Sequence, residues 1–70
     1  MLKLSARNQF KGKIFKVIKG KTTSHVILNL NGLPVMAAIP NEEAEELQLL
    51  EGKAAIALIK ASDIIIGVEE

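Results

Sequence analysis

The segment SARN at residues 5–8 contains side chains that are suited to binding an anion. The guanidinium of Arg7 can hold two oxygens of an oxyanion at once, and the hydroxyl of Ser5 adds a neutral donor. The same four residues would also suit a solvated polar arm ahead of the first strand. Taken alone, the segment favours that ordinary explanation over a binding site.

A second polar segment, KASD at residues 60–63, follows an apolar run near the C-terminus. Lys60 brings a positive charge with three donors, and the backbone N–H groups of a turn through Ala61 and Ser62 can form an anion-binding nest. An ordinary turn, in which Lys60 blunts the end of a strand, is the simpler explanation when the segment is considered alone.

His25 is the single histidine of the chain, and we expect it in the middle of a strand on the face opposite Val26. A lone histidine there is usually a hydrogen-bonded surface or interface residue. Copies of His25 that meet on the axis of an oligomer could instead help to bind an anion. The chain has no cysteine and offers His25 no obvious serine partner, so we predict that the protein is not an enzyme.

The size and composition of the chain predict an oligomer. Its 70 residues form one domain at most, and so small a domain is marginally stable unless disulfides, a metal or oligomerisation assist it. The absence of cysteine excludes disulfides, and a single histidine excludes a histidine-based zinc site within one chain. Hydrophobic residues make up 49% of the chain and aromatic residues 3%, which leaves much aliphatic surface for partner subunits to cover.

Neither a membrane segment nor a secretion signal is apparent, so we predict a cytoplasmic protein without membrane contact. No apolar run reaches the ~18 residues of a transmembrane helix, and the N-terminus lacks the apolar region of a signal peptide. The net charge of +1 is too small for a general polyanion binder. Any bound anion must therefore be held by a local group of side chains and not by the overall field.

The hydrophobic pattern predicts three strands, a short helix and two further strands. A hairpin turn is expected at Asn31-Gly32, between the second and third strands. The helix is expected to begin with Asn41 as its N-cap and to end at Leu49 or Leu50. The expected strands cover residues 9–19, 22–30, 33–39, 54–60 and 63–68.

This order of elements fits an all-β fold, an OB-type five-stranded barrel with one short helix between strands three and four. Two strands are apolar on both faces, through Ile14, Phe15, Val17 and Ile18 in one strand and residues 64–66 in the other. Continuous apolar runs indicate that both faces of a strand are covered. In a chain this short, the cover must come from other subunits.

Taken together, these segments resemble the molybdate-binding Mop domain found in the molbindins. Residues 5–14 (SARNQFKGKI) are similar to the opening motif of that family, and residues 59–66 (IKASDIII) are similar to its closing motif. Residues 45–47 and Glu51-Gly52 resemble the family's helix and turn. Two separated motifs in the right order favour a binding site over the ordinary explanations of the two polar segments.

The resemblance implies one Mop domain over residues 1–70, with two chains closely paired and three pairs forming a hexamer. Molybdate or tungstate would bind between subunits as a ligand, not as a catalytic cofactor, and no free metal cation is expected. A further site on the threefold axis is assigned to Thr23 and His25. The main oxyanion site implied for this chain, divided between two subunits, comprises Ser5, Arg7, Lys60, Ala61 and Ser62.

Four positions depart from the family, in which many members carry Thr or Ser in the third strand and at the helix start. Hydroxyl donors that complete an oxyanion cage are therefore missing, and an acidic residue near a dianion would repel it. Either Asn41 or backbone N–H groups replace these donors, or the anion preference and affinity are altered. The four residues are Met36, Ala37, Pro40 and Glu43.

The sequence thus predicts a cytoplasmic protein that binds molybdate or tungstate and stores or buffers it. Arg7 and Lys60 supply two positive charges for a dianion, and charge-assisted hydrogen bonds offset its desolvation. The alternative is an oligomeric OB-type module that binds nucleic acid or a partner protein. We predict no nucleic-acid binding, because it would require exposed aromatic side chains and we expect Phe10 and Phe15 to be buried.

Overall fold

The computed structural model describes residues 8–69, which form one four-stranded antiparallel sheet with a short helix packed beside it. The strands are β1 (Asn8–Lys19), β2 (Thr23–Leu30), β3 (Leu33–Pro40) and β4 (Ala54–Ile59). Helix α1 (Asn41–Glu46) precedes β4, and a 3₁₀ turn (Ala61–Asp63) follows it. The strand order across the sheet is β3-β2-β1-β4.

Strand β1 is shared between two neighbours. Its first half pairs with β4 and its second half pairs with β2, and Lys13 has a partner in each. A β-bulge at Phe15 shifts the register between Ile14 and Lys16, and this resets which residues face the core. Ile14 and Val17 therefore both pack inward while Phe15 is exposed, which partly explains the apolar run in this strand.

The core lies on one face of the sheet and is built from aliphatic side chains. Gly12 permits close packing there, because a Cβ at this position would lie 2.4 Å from the backbone oxygen of Asn29. The predicted hairpin turn is confirmed, since Asn31 (φ 56°) and Gly32 (φ 96°) both adopt the left-handed conformation that such a turn requires. The buried core residues are Ile14, Val26, Leu28, Leu30 and Ala57.

Helix α1 is shorter than predicted, and Asn41 is not its N-cap. The N-cap is Pro40, so Asn41 is the first helical residue, and α1 ends at Glu46. Gln48 adopts a left-handed conformation (φ 53°), which turns the chain so that Leu49 packs against the core. Leu49 thus keeps its apolar contact without continuing the helix.

The predicted fifth strand does not form among the described residues. Residues 64–69 pair with no described strand, so the sheet has four strands and stays open between β3 and β4. An apolar cleft of about 330 Å³ separates those two strands. The predicted all-β class, with one short helix before the fourth strand, is confirmed. The prediction of a fifth, closing strand is wrong for a single chain. The apolar residues 64–66 therefore pair with neither of the two edge strands of their own chain, β3 and β4.

The expected burial of the two aromatic residues is also wrong for a single chain. Phe10 is 44% exposed and Phe15 is 67% exposed. Phe15 is the bulged residue of β1, and Phe10 lies near the strand's first end, where it pairs with Ala57 of β4. Among residues 8–69, no helix is long and apolar enough to cross a membrane.

Candidate functional site

The sheet brings the described ends of the two polar segments together. Asn8, the last residue of the first segment, pairs with Ile59, which directly precedes the second segment. The side-chain amide of Asn8 also donates a hydrogen bond to the carbonyl of Ile59, with an N···O distance of 3.2 Å. Ser5 and Arg7 lie outside the described residues. The point where the chain joins β1 is therefore fixed beside the point where it leaves β4.

The second segment forms the tight turn that its sequence predicts. The N–H of Asp63 donates to the carbonyl of Lys60 at 2.9 Å, and the N–H of Ile64 donates to the carbonyl of Ala61 at 3.2 Å. Lys60, Ala61 and Ser62 are all exposed. Among the described backbone hydrogen bonds outside regular strands and helices, none uses the N–H groups of Ala61 and Ser62. A lysine, a hydroxyl and two N–H groups that bond to no described backbone carbonyl thus stand at one end of the sheet.

The two residues assigned to a second site lie at the other end of β1. Thr23 and His25 are on the outer face of β2, two residues apart, and Thr23 is half-buried while His25 is exposed. His25 pairs with Ile18 in β1 and Ala38 in β3, and its predicted place opposite the Val26 face is confirmed. Within one chain, these two residues do not meet the Lys60 turn.

The side chain of Asn41 is already committed to other partners and is a poor replacement for the missing hydroxyls. Its carbonyl oxygen accepts a hydrogen bond from the buried hydroxyl of Ser24 at 2.6 Å. Its amide nitrogen donates to the carbonyls of Gly20 at 3.1 Å and Lys21 at 3.2 Å. These hydrogen bonds hold the start of α1 against the turn between β1 and β2. Backbone N–H groups remain as the substitute that the sequence offers.

The four departures from the family lie in different surroundings. Ala37 pairs with the buried Val26, whereas Met36 on the opposite face is 60% exposed. Pro40 lies directly across from Thr23, and Glu43 is exposed in the first turn of α1. The departures therefore lie in β3 and at the start of α1, and Met36 and Ala37 line the apolar cleft between β3 and β4 that Ile59 also lines.

No metal centre is built from the described residues at the strand end. Within residues 8–69, no group of three or more His, Cys, Asp or Glu side chains could hold a metal ion. The ion pair that forms in this part of the chain joins Lys19 to Glu45 at 3.3 Å, between two exposed side chains. Such a surface pair contributes little to stability.

Sequence reasoning missed the structural role of Asn8. It assigned the flanking Ser5 and Arg7 to an oxyanion and gave Asn8 no role, although its amide ties the two strand ends together. A polar amide at the first position of a long strand is a weak signal in one sequence, because such residues are also common in solvated loops.

Comparison with protein families matches residues 4–66 to the TOBE domain. The chain belongs to the TOBE domain family. This TOBE domain is 39% identical to the probable molybdenum-pterin-binding protein of Haemophilus influenzae, over 97% of this chain and 100% of that protein. It is also 39% identical to molybdenum-pterin-binding protein 3 of Clostridium pasteurianum, over 93% of this chain and 97% of that protein. The predicted resemblance to the Mop proteins is confirmed.

Solved structures agree with the fold of this TOBE domain. MopII from Clostridium pasteurianum matches with a TM-score of 0.89 and 36% identity, over 94% of this chain and 100% of that chain. A molybdate-binding protein from Sporomusa ovata matches with a TM-score of 0.91 and 25% identity, over 96% and 100% of the two chains. These neighbours support the OB-type assignment.

A third structure, the cytoplasmic molybdate-binding protein ModG with molybdate bound, matches with a TM-score of 0.93 and 36% identity. The match covers 97% of this TOBE domain and 49% of the ModG chain, so the present chain spans about half of that protein. The relatives described here are named for binding and not for catalysis.

Proposed function

We propose that this TOBE domain binds molybdate at the end of the sheet where β1 begins and β4 ends. The observation that carries the proposal is the pairing of Asn8 with Ile59, because it sets the described end of the first polar segment beside the start of the second. The names of the relatives support molybdate as the ligand. The residues proposed to bind it are Ser5, Arg7, Lys60, Ala61 and Ser62.

The proposed site works by matching charge and supplying donors. A buried dianion without partners would cost tens of kcal/mol in desolvation, and charge-assisted hydrogen bonds offset that cost. Lys60 and Arg7 supply two positive charges, while the hydroxyl of Ser62 and the N–H groups of the turn supply neutral donors. Phosphate carries a proton at neutral pH, so its O–H group would face a hydrogen-bond donor of the site with no acceptor to receive it. Sulfate is excluded mainly because its S–O bonds are shorter than Mo–O bonds.

We also propose which anions the site binds and what role the protein has in the cell. Tungstate is nearly the same size as molybdate, so we expect the same residues to bind both anions. Thr23 and His25 are proposed to form a weaker site where copies of the chain meet on a symmetry axis. We further propose that the protein is one Mop domain over residues 1–70, that it is not an enzyme, and that it stores or buffers the oxyanion in the cytoplasm.

A homo-oligomer is part of this proposal, and the exposed surface supports it. The chain exposes 6091 Å². A monomeric folded protein of 7.6 kDa exposes about 4300 Å², so roughly 1800 Å² is in excess. A standard interface buries about 800 Å² on each partner, so the excess suits about two interfaces per subunit. A hexamer built as a trimer of dimers is one assembly with at least two interfaces per subunit.

The C-terminal segment is proposed to take part in the first of these interfaces. Ile65 is 93% exposed, Ile66 is 81% exposed and Val68 is 82% exposed, while β3 and β4 both present a free edge. Pairing of residues 63–68 with a second copy would supply the missing closing strand and cover these side chains. The same exchange would bring the Lys60 turn of one subunit to the strand end of another.

The direct test of the binding site is isothermal titration calorimetry with molybdate on Lys60→Ala and Ser62→Ala variants. Loss of the Lys60 charge removes a charge-assisted bond, so we expect molybdate affinity to fall about 10-fold or more, with a smaller loss for Ser62→Ala. Lys21→Ala is the matched control, since Lys21 is an exposed lysine in the turn at the other end of β1. Equal affinities for Lys60→Ala and Lys21→Ala would contradict the assignment.

The alternative function, a nucleic-acid module, gains one observation from the structure. Phe15 is 67% exposed and lies between Lys13 and Lys16 on β1, and an exposed aromatic ring beside lysines suits stacking on single-stranded bases. A gel-shift with single-stranded oligonucleotide at low salt distinguishes the two, and clear binding that molybdate does not affect would favour the alternative.

A further inference from the structure

The charges of the chain are divided between its two parts. No Asp or Glu precedes residue 42, whereas seven of the nine Lys and Arg residues do. The net charge of +1 therefore combines a strongly basic part, which includes β1, β2 and β3, with an acidic part, which includes α1 and the segments after it. The weak field expected for the whole chain does not describe its first three strands.

Three of these lysines are exposed along the outer face of β1, the face opposite the core. They are Lys11, Lys13 and Lys16. Within residues 8–69 the ion pair that forms uses Lys19 and Glu45, so the three lysines of the outer face are not neutralised there. Their cross-strand partners in β2 and β4 are also uncharged, namely Ile56, Asn29, Ala54 and Ile27.

These lysines lie between the two places where an anion is proposed to bind. At roughly 3.3 Å per residue, Lys11 is about 10 Å and Lys13 about 17 Å along β1 from Asn8. Lys16 pairs with Ile27, which is two residues from His25. Charges act over about 8 Å at physiological salt and about 30 Å at 0.01 M, so the three lysines reach an approaching dianion best at low salt.

We infer that the outer face of β1 is an anion-collecting surface, which steers dianions to the strand-end site without contacting them there. The inference rests on the proposed molybdate site. Surfaces lined by one sign of charge raise association rates about 10- to 1000-fold, and the effect falls steeply with ionic strength. Steering alters the association rate and leaves the dissociation rate unchanged, whereas loss of a direct ligand mainly speeds dissociation.

The test compares two triple variants of the full chain, one with Lys11→Gln, Lys13→Gln and Lys16→Gln and one with arginine at the same positions. Rapid filtration with radioactive molybdate measures both rate constants at about 0.01 M and about 1 M salt. We expect the glutamine variant to associate about 3-fold or more slowly at low salt and like the wild type at high salt. Its dissociation rate should be unchanged, and the arginine variant should match the wild type throughout.

Three results would overturn the inference. If the glutamine variant associated with molybdate at the wild-type rate at low salt, the three lysines would have no steering role. If it released molybdate faster than the wild type, the lysines would be direct ligands. Unchanged molybdate rates together with weaker binding of a single-stranded oligonucleotide would assign the surface to a polyanion. Absence of molybdate binding by the wild type would overturn this inference and the proposed function together, whereas normal binding with unchanged rates overturns only the inference.

Discussion

At the scale of single residues, Gly12 has the tightest surroundings of the five glycines. A Cβ at Gly12 would lie 2.4 Å from the oxygen of Asn29 and 2.7 Å from a methyl carbon of Leu30. Gly12→Ala should therefore force β1 and β2 apart and cost about 1–3 kcal/mol, because overpacking a core costs that much. The melting temperature of the variant should fall by roughly 10 °C.

The control for this variant is Lys11→Ala, the neighbouring exposed position on the same strand. Its melting temperature should stay close to that of the wild type, since exposed substitutions away from special features are usually within about 0.5 kcal/mol. If Gly12→Ala and Lys11→Ala have the same melting temperature, the close approach of Gly12 to Asn29 does not limit packing.

The candidate site was predicted from residue types together with the family resemblance, and its geometry was not predicted. Arg7 and Lys60 have the charges and donors that an oxyanion requires, and those properties belong to the side chains wherever they lie. The placement of Asn8 beside Ile59 depends on the register of β1 with β4, which joins residues 51 positions apart in the sequence. No single-sequence pattern encodes that register. The hydrogen bonds of Asn41 with Ser24 and with the turn could not be predicted either, because they depend on where α1 is placed.

At the scale of elements, the attachment of α1 to the sheet depends on the hydrogen bonds of Asn41. Asn41→Ala would leave the buried hydroxyl of Ser24 without its acceptor and the carbonyls of Gly20 and Lys21 without their side-chain donor. We expect a loss of about 1–3 kcal/mol in the free energy of unfolding. Chemical denaturation of the single variants Ser24→Ala and Asn41→Ala and of the double variant measures the coupling.

The double variant should lose less stability than the sum of the two single losses, with a coupling of about 0.5–3 kcal/mol. Once the hydroxyl is removed, the missing acceptor no longer leaves a buried polar group unsatisfied. Additive losses would contradict the 2.6 Å bond as an energetic link between Ser24 and Asn41.

The strands were predicted better than their closure. Alternation in residues 23–30 gave β2 almost to the residue, because its apolar side chains face one core within the same chain. The bulge at Phe15 broke the alternation in β1, and a bulge leaves no reliable signal in one sequence. The run at residues 64–66 has strand character, but a strand needs a partner edge, and pattern alone does not say whether that edge belongs to the same chain.

At the scale of the whole molecule, the oligomer should depend on the exposed C-terminal isoleucines. A variant with Ile65→Lys and Ile66→Lys places two charges on side chains that are 93% and 81% exposed in one chain, so a monomer would tolerate them. If residues 63–68 pair with a second copy, the charges must be buried and the oligomer should dissociate. Sedimentation velocity should show a smaller species than the wild type.

The control is Glu51→Lys in an exposed turn, which changes charge without touching that segment. It should sediment like the wild type. An isoleucine variant that keeps the wild-type assembly would contradict the exchange of the C-terminal segment and would leave its exposed apolar side chains without an explanation.

We propose that this TOBE domain forms an oligomer and binds molybdate between its subunits, and native mass spectrometry tests both parts at once. The ligand-free protein should appear as a hexamer. After addition of molybdate or tungstate, we expect discrete mass increments that correspond to bound anions, and after addition of sulfate we expect none. A monomer or dimer that gains no molybdate mass would contradict both the proposed site and the proposed assembly.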